Sequence, residues 1–146
     1  MDTPMRVLIV EDERLIALQL EDDIAEAGHE VVGSAMSSTE AIRLGESTRP
    51  DLALVDIHLA DGPTGIEVVR KLVGPENVVV FMTSNVKRIP DDFAGAAGVL
   101  NKPVSTHGLH QALRFIGRRM AQDPAGPKPS SLTVAPAWRA RWNVES

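Results

Sequence analysis

Arg6-Val7-Leu8-Ile9-Val10, followed by Glu11-Asp12, is a short apolar run that ends on two carboxylates. An unbroken apolar run of this length between polar residues reads as a strand buried on both faces. The pattern returns at Glu30–Gly33, Leu52–Val55, Val78–Met82 and Val99–Leu100. Helical spacing separates these runs. Ile16, Leu20, Ile24 and Ala27 step by four, four and three, and Gly28 supplies a left-handed C-cap. Ser37-Ser38-Thr39-Glu40 and Thr64-Gly65-Ile66-Glu67 each fit a capping box at a helix start. A fourth, short helix is expected around Pro90–Ala97. A fifth starts near Ser105, with Leu109, Leu113, Ile116 and Met120 on one face. Five strands alternating with five helices predict right-handed βαβ units, hence an α/β fold with a mostly parallel sheet covered on both sides.

The 146 residues suffice for one domain with a proper core. Aromatic residues make up only 3%, so Leu, Ile, Val and Ala must fill that core. The absence of cysteine removes disulfides and thiol chemistry together. A net charge of −5 argues against a nucleic-acid-binding domain, which needs a concentrated basic face. No apolar run is long enough to cross a bilayer, and Met1-Asp2-Thr3-Pro4 opens no export signal. A soluble cytoplasmic protein is the expectation. Past Asp123, Pro124, Pro127, Pro129 and Pro136 appear among Gly, Ser and Ala. The chain therefore reads as a domain over 1–122 and a Pro-rich tail over 123–146, either disordered or packed back on the domain.

Functional groups of a doubly wound sheet collect at the carboxyl ends of its strands. Here those ends carry Glu11-Asp12-Glu13, Asp56, Thr83-Ser84 and Asn101-Lys102-Pro103. Clustered carboxylates repel unless a proton or cation neutralises them, and hard oxygen donors without Cys or an organised His set suit Mg²⁺. Asp56 is then placed as a nucleophile toward phosphorus. Lys102 and Mg²⁺ would bear on the phosphoryl oxygens, with a hydrogen bond from Thr83.

Together, Glu11-Asp12, Asp56, Thr83 and Lys102-Pro103 resemble the receiver domain of bacterial two-component response regulators, over roughly Arg6 to Met120. The resemblance implies a flavodoxin-like (CheY-like) doubly wound parallel sheet of five strands, order 2-1-3-4-5, with five helices. It implies Asp56 as phosphoacceptor and Asp12 as direct Mg²⁺ ligand. Glu11 would act largely through water, and the His58 backbone carbonyl would complete the protein's share of the metal shell. Lys102 would pair with Asp56 or its phosphate, and Pro103 would follow a cis peptide bond. The implied donor is a sensor histidine kinase or histidine phosphotransfer protein. Output would pass through an unknown downstream protein or a phosphate sink, from a stand-alone receiver with no DNA-binding domain and no membrane. Leu15–Gly33 and Asp56–Val69 look nearest to receivers of alphaproteobacterial stress signalling. One departure is Val99, where the family usually has the aromatic that turns inward on phosphorylation; Phe81 or Phe93 would have to substitute.

Competing readings are a receiver-like interaction module that works unphosphorylated, and a phosphatase-type hydrolase. The second usually needs an acid two positions after the nucleophile, where this chain has His58, so turnover of an exogenous substrate is not expected. His107 and His110 share a helical face but lack a third metal ligand, and His29 beside Gly28 reads as structural. Trp138 and Trp142, four apart among arginines, either pack on the domain, stay disordered, or face a partner or a membrane surface.

Overall fold

The computed structural model describes residues 3–145. Strand β1 (Arg6–Val10) leads to α1 (Arg14–Glu26), β2 (Glu30–Ala35), α2 (Ser38–Thr48), β3 (Leu52–Asp56), α3 (Gly65–Leu72), β4 (Val78–Thr83), β5 (Gly98–Asn101) and α4 (Thr106–Met120). A short β6 (Leu132–Val134) and a single turn, α5 (Pro136–Arg139), complete the described chain. The sheet order is β2-β1-β3-β4-β5-β6, parallel through β5. The five-stranded order is the expected one; the antiparallel sixth strand was not foreseen.

Alternation along the strands splits the core into two layers, because successive side chains leave opposite faces of a pleated strand. Val7, Ile9, Leu52, Leu54, Val80, Met82 and Leu100 pack under α1 and α4. Leu8, Val10, Ala53, Val55, Val79, Phe81 and Val99 pack under α2 and α3. Burial on both faces explains why these strands are uniformly apolar in sequence.

Helix ends follow the local chemistry with two exceptions. Ser37 caps α2 by accepting from Glu40 N, and Glu40 reaches back to accept from Met36 N at 2.8 Å. Ser105 caps α4 through Gly108 N at 2.9 Å, and Gly28 leaves α1 at φ +90°. The capping box expected at Thr64 does not form, since its hydroxyl donates instead to Asp61 Oδ1 at 2.8 Å. Nor is there a helix at Pro90–Ala97. Two 3₁₀ turns, Val86–Arg88 and Phe93–Gly95, occupy this connection. Phe93, Ala94 and Gly95 all have positive φ, which ends any right-handed helix there. Counting α5, the described chain still has five α-helices, but the fifth is in the tail.

In the tail, β6 pairs with β5 and the segment around Trp142 lies against the domain. Leu132, Val134 and Trp142 join the α1–α4 side of the core. Trp142 meets Phe115 of the domain edge-on at 5.9 Å and Trp138 edge-on at 5.1 Å.

Candidate functional site

Each candidate residue occupies the carboxyl end of a strand or the loop just beyond it. Glu11 and Asp12 follow β1, Asp56 ends β3, Thr83 ends β4 and Lys102 follows β5. The parallel register sets them side by side: Val10 lies opposite Val55, Asp56 opposite Met82 and Thr83 opposite Asn101. Lys102 Nζ donates to Glu11 Oε1 at 2.6 Å and to Asp56 Oδ2 at 2.8 Å. One carboxylate oxygen from each of Glu11, Asp12 and Asp56 lies within 4.8 Å of the others. Lys102 N donates to Thr83 O at 3.0 Å, and the Lys102-Pro103 peptide is cis, as expected.

The electrostatics are unbalanced. Three carboxylates face one ammonium, and the Glu11 side chain has no exposure to solvent. Burial pushes the Glu11 carboxyl up to about 7, aided by the charge of Asp56 and opposed by the hydrogen bonds from Lys102 and the Glu13 backbone. Burial pulls the Lys102 ammonium down, but hydrogen bonds to Asp56 and Glu11 outweigh it and raise its pKa above the usual value. A converging set of hard oxygen donors with surplus negative charge suits a small divalent cation that keeps part of its water shell.

Thr83 is buried, and its Oγ1 accepts from Asn85 N at 3.0 Å. His58 is exposed on the loop leaving β3. Val99 is fully buried in register with Phe81, so the aromatic ring at this level of the sheet belongs to β4 and is itself fully buried. Phe93 is half-buried against the same layer. His107 and His110 form no metal pair: His110 Nε2 bonds Asp23 O at 2.9 Å, and the acidic trio is the single candidate metal group among the described residues. His29 Nδ1 accepts from Met5 N at 2.9 Å, a structural contact.

Two supports of the site escaped the sequence reading. Gly65, buried at the start of α3, lies against the acceptor strand, with Gly65 N donating to Ile57 O at 2.9 Å. A Cβ there would overlap the Asp56 carbonyl oxygen and stand 2.6 Å from Ile57 Cα, backbone that cannot swing aside. Gly65→Ala is therefore expected to cost roughly 2–3 kcal/mol, read as a lower urea midpoint, and to displace the loop after Asp56.

The second support is Asp61, which accepts from Ser38 N at 3.1 Å, from the Ser38 hydroxyl and from Thr64 Oγ1, tying the start of α2 to the loop after Asp56. The Ser38 hydroxyl, then the Thr64 hydroxyl and Ser38 N–H, hold the Asp61 carboxyl down at about 2. A depressed folded-state pKa means this contribution is present above the unfolded value, near 3.8, and is lost as pH falls through about 2. In urea titrations the wild type should exceed Asp61→Ala in stability at pH 6, and the gap should shrink between pH 4 and pH 2. The Asp61-Gly62 pair was a readable turn signal; its partners, 23 residues away in the case of Ser38, were not.

Residues 7–114 match the response regulator receiver domain. The chain belongs to that family. Over 89 residues, 60% of its length, this receiver is 44% identical to the phyllosphere-induced regulator PhyR of Methylorubrum extorquens, covering 33% of that protein. It is 36% identical over 124 residues to the transcriptional regulatory protein PdtaR of Mycobacterium tuberculosis, covering 82% of this chain and 60% of PdtaR. The receiver thus spans between a third and three fifths of these curated relatives. Among solved structures, the receiver domain of PhyR from Erythrobacter litoralis superposes with a TM-score of 0.69 at 30% identity, over 86% of this chain and 95% of that one. PhyR from Brucella abortus gives 0.65 at 33% identity, over 75% and 46%. Similarity to PhyR agrees with the resemblance to stress-signalling receivers. No helix among the described residues is long and apolar enough to cross a membrane.

Proposed function

We propose that this receiver accepts a phosphoryl group on Asp56 from a histidine kinase or histidine phosphotransfer protein, in a Mg²⁺-dependent reaction, and signals by binding another protein or by draining phosphate. The observation that carries the reading is Lys102 Nζ bonded at once to Asp56 and Glu11, with Asp12 alongside. Asp12 and Asp56, with the His58 carbonyl and with Glu11 through water, are the residues that would hold the cation. When bound, Mg²⁺ supplies charge neutralisation at the phosphoryl oxygens.

An Asp56 carboxylate oxygen forms the new O–P bond while the P–N bond of the phosphohistidine breaks, and the departing imidazole nitrogen keeps the electron pair and is protonated. Lys102 is poised to pair with the transferred group, because its ammonium already sits at the acceptor oxygen. Thr83 would turn from Asn85 to donate a hydrogen bond to it. The chain catalyses only its own loading and unloading, in the cytoplasm. PhyR of Bartonella quintana has been crystallised with the anti-sigma factor NepR, and a protein target of comparable kind is proposed here. The missing strand-five aromatic supports a second reading, an interaction module indifferent to phosphate. The two separate on one measurement: site-mapped incorporation of phosphoryl from acetyl phosphate or a phosphorylated kinase. Label at Asp56 that disappears when Mg²⁺ is chelated is expected; label elsewhere, or none from either donor, would leave the second reading standing.

A further inference from the structure

Strand β5 connects the site to the tail. Its last residue, Asn101, precedes Lys102, and its outer edge is covered by β6, with Gly98 opposite Val134, Val99 opposite Thr133 and Leu100 opposite Leu132. The cover is built into the sequence. A Cβ at Gly98 would overlap the Thr133 carbonyl oxygen, so glycine is what lets the tail strand come this close. Arg119, 8% exposed and lying over the Phe115 ring, clasps the tail by donating to four carbonyls: Trp142, Asp123, Ala125 and Gly126.

The seam between β5 and β6 is uneven. At the end far from the site, Ala135 N donates to Ala97 O at 2.7 Å. At the end beside Lys102, Asn101 N reaches Ser131 O at 3.4 Å, and Ser131 is otherwise tied by its hydroxyl to Gly108 O at 2.9 Å. The weak end of the seam thus adjoins the backbone that carries Lys102 into the site.

Lys102 Nζ and Asp56 Oδ2 are 2.8 Å apart, so a phosphoryl group joined to that oxygen displaces the ammonium from it, and Lys102 directly follows the strand that β6 covers. Its inner neighbour, β4, is buried throughout and fixed between β3 and β5. Its outer neighbour is the tail strand, held there by the long contact. Displacement follows the softer side, and a packed edge strand has two discrete arrangements, docked or released.

We propose that the tail is this receiver's own readout element: loading of Asp56 loosens β6 from its Ser131 end and unseats the Trp138–Trp142 pair from the domain. In this chain the tail strand paired with Val99 takes the role that an aromatic at that position would have had. The inference rests on the phosphoacceptor reading above.

The full chain carries the reporters it needs, because its two tryptophans are both in the tail. Wild type and Asp56→Asn are incubated with Mg²⁺ and acetyl phosphate. Phosphoryl incorporation is read by intact mass, and hydrogen exchange of amides 131–135 and tryptophan emission are read in the same samples. Phosphorylated wild type is expected to exchange these amides roughly tenfold faster, with emission shifted to the red, while Asp56→Asn changes in neither. Incorporation with an unchanged tail would overturn the inference and leave the acceptor reading intact. A tail response in Asp56→Asn would also overturn it. No incorporation from acetyl phosphate or from a phosphorylated kinase would remove both readings together.

Discussion

Asp56→Asn is expected to take up no phosphoryl label above background from a phosphorylated kinase or acetyl phosphate, while folding with near wild-type stability. The amide keeps the shape of the carboxylate and still offers an oxygen to Lys102, so the bond now at 2.8 Å has a successor. It also removes one charge from a cluster that has three carboxylates and one ammonium, which relieves the pressure on Glu11. What it loses is the anionic oxygen that attacks phosphorus, since an amide oxygen is a far poorer nucleophile. A labelling time course beside a urea melt checks both halves. Wild-type label in the variant would remove Asp56 as the acceptor.

Lys102→Met should produce the largest stability loss among substitutions at the site. The methionine stem replaces the aliphatic packing, so the change isolates the ammonium. Without it, the fully buried Glu11 and the nearly buried Asp56 face each other unpaired, and breaking a buried ion pair from one side costs about 3–5 kcal/mol. The sign with pH follows from Glu11. Its folded-state pKa, about 7, exceeds the usual 4.5, so the folded state favours the protonated acid. Stability from this group is present below about 4.5 and is lost as pH rises through about 7. Removing Lys102 takes away a group that opposes the rise, so the variant's deficit should be largest at pH 8 and smallest near pH 5. Added Mg²⁺ should recover part of the deficit at pH 8, because a cation among the same oxygens replaces the lost positive charge. Urea midpoints at both pH values, with and without Mg²⁺, test this. A deficit independent of pH and of Mg²⁺ would mean that Lys102 matters only by packing.

Strands β1, β3, β4 and β5 were legible because burial on both faces leaves a run of apolar residues, whereas the half-buried edge strand β2 carries Gly33 and Ser34; each predicted strand still lies inside an observed one. The C-terminal end of α1 and the starts of α2 and α4 were legible because caps are local chemistry: a Gly at positive φ, a Ser three residues before a free N–H. The helix expected at Pro90–Ala97 was not, because Ala-rich composition says nothing of the left-handed turn at Phe93-Ala94-Gly95. After Asp123 four prolines left disorder and packing both open, because composition does not record that Arg119 gathers the tail's carbonyls or that Leu132, Val134 and Trp142 reach the core beside α4.

The α/β fold, the residue types at each strand end and, through family resemblance, the strand order could all be read from the order of amino acids. Those properties arise within one element or from the right-handed connection between successive ones, so a local pattern can encode them. It took the folded chain to show that Lys102 also reaches Glu11, that Gly65 must lack a side chain to rest on the acceptor strand, and that Gly98 lets the tail become a sixth strand. Each depends on contacts between residues far apart in the chain, where a distance of a few tenths of an ångström selects the outcome and no periodicity in the sequence records it.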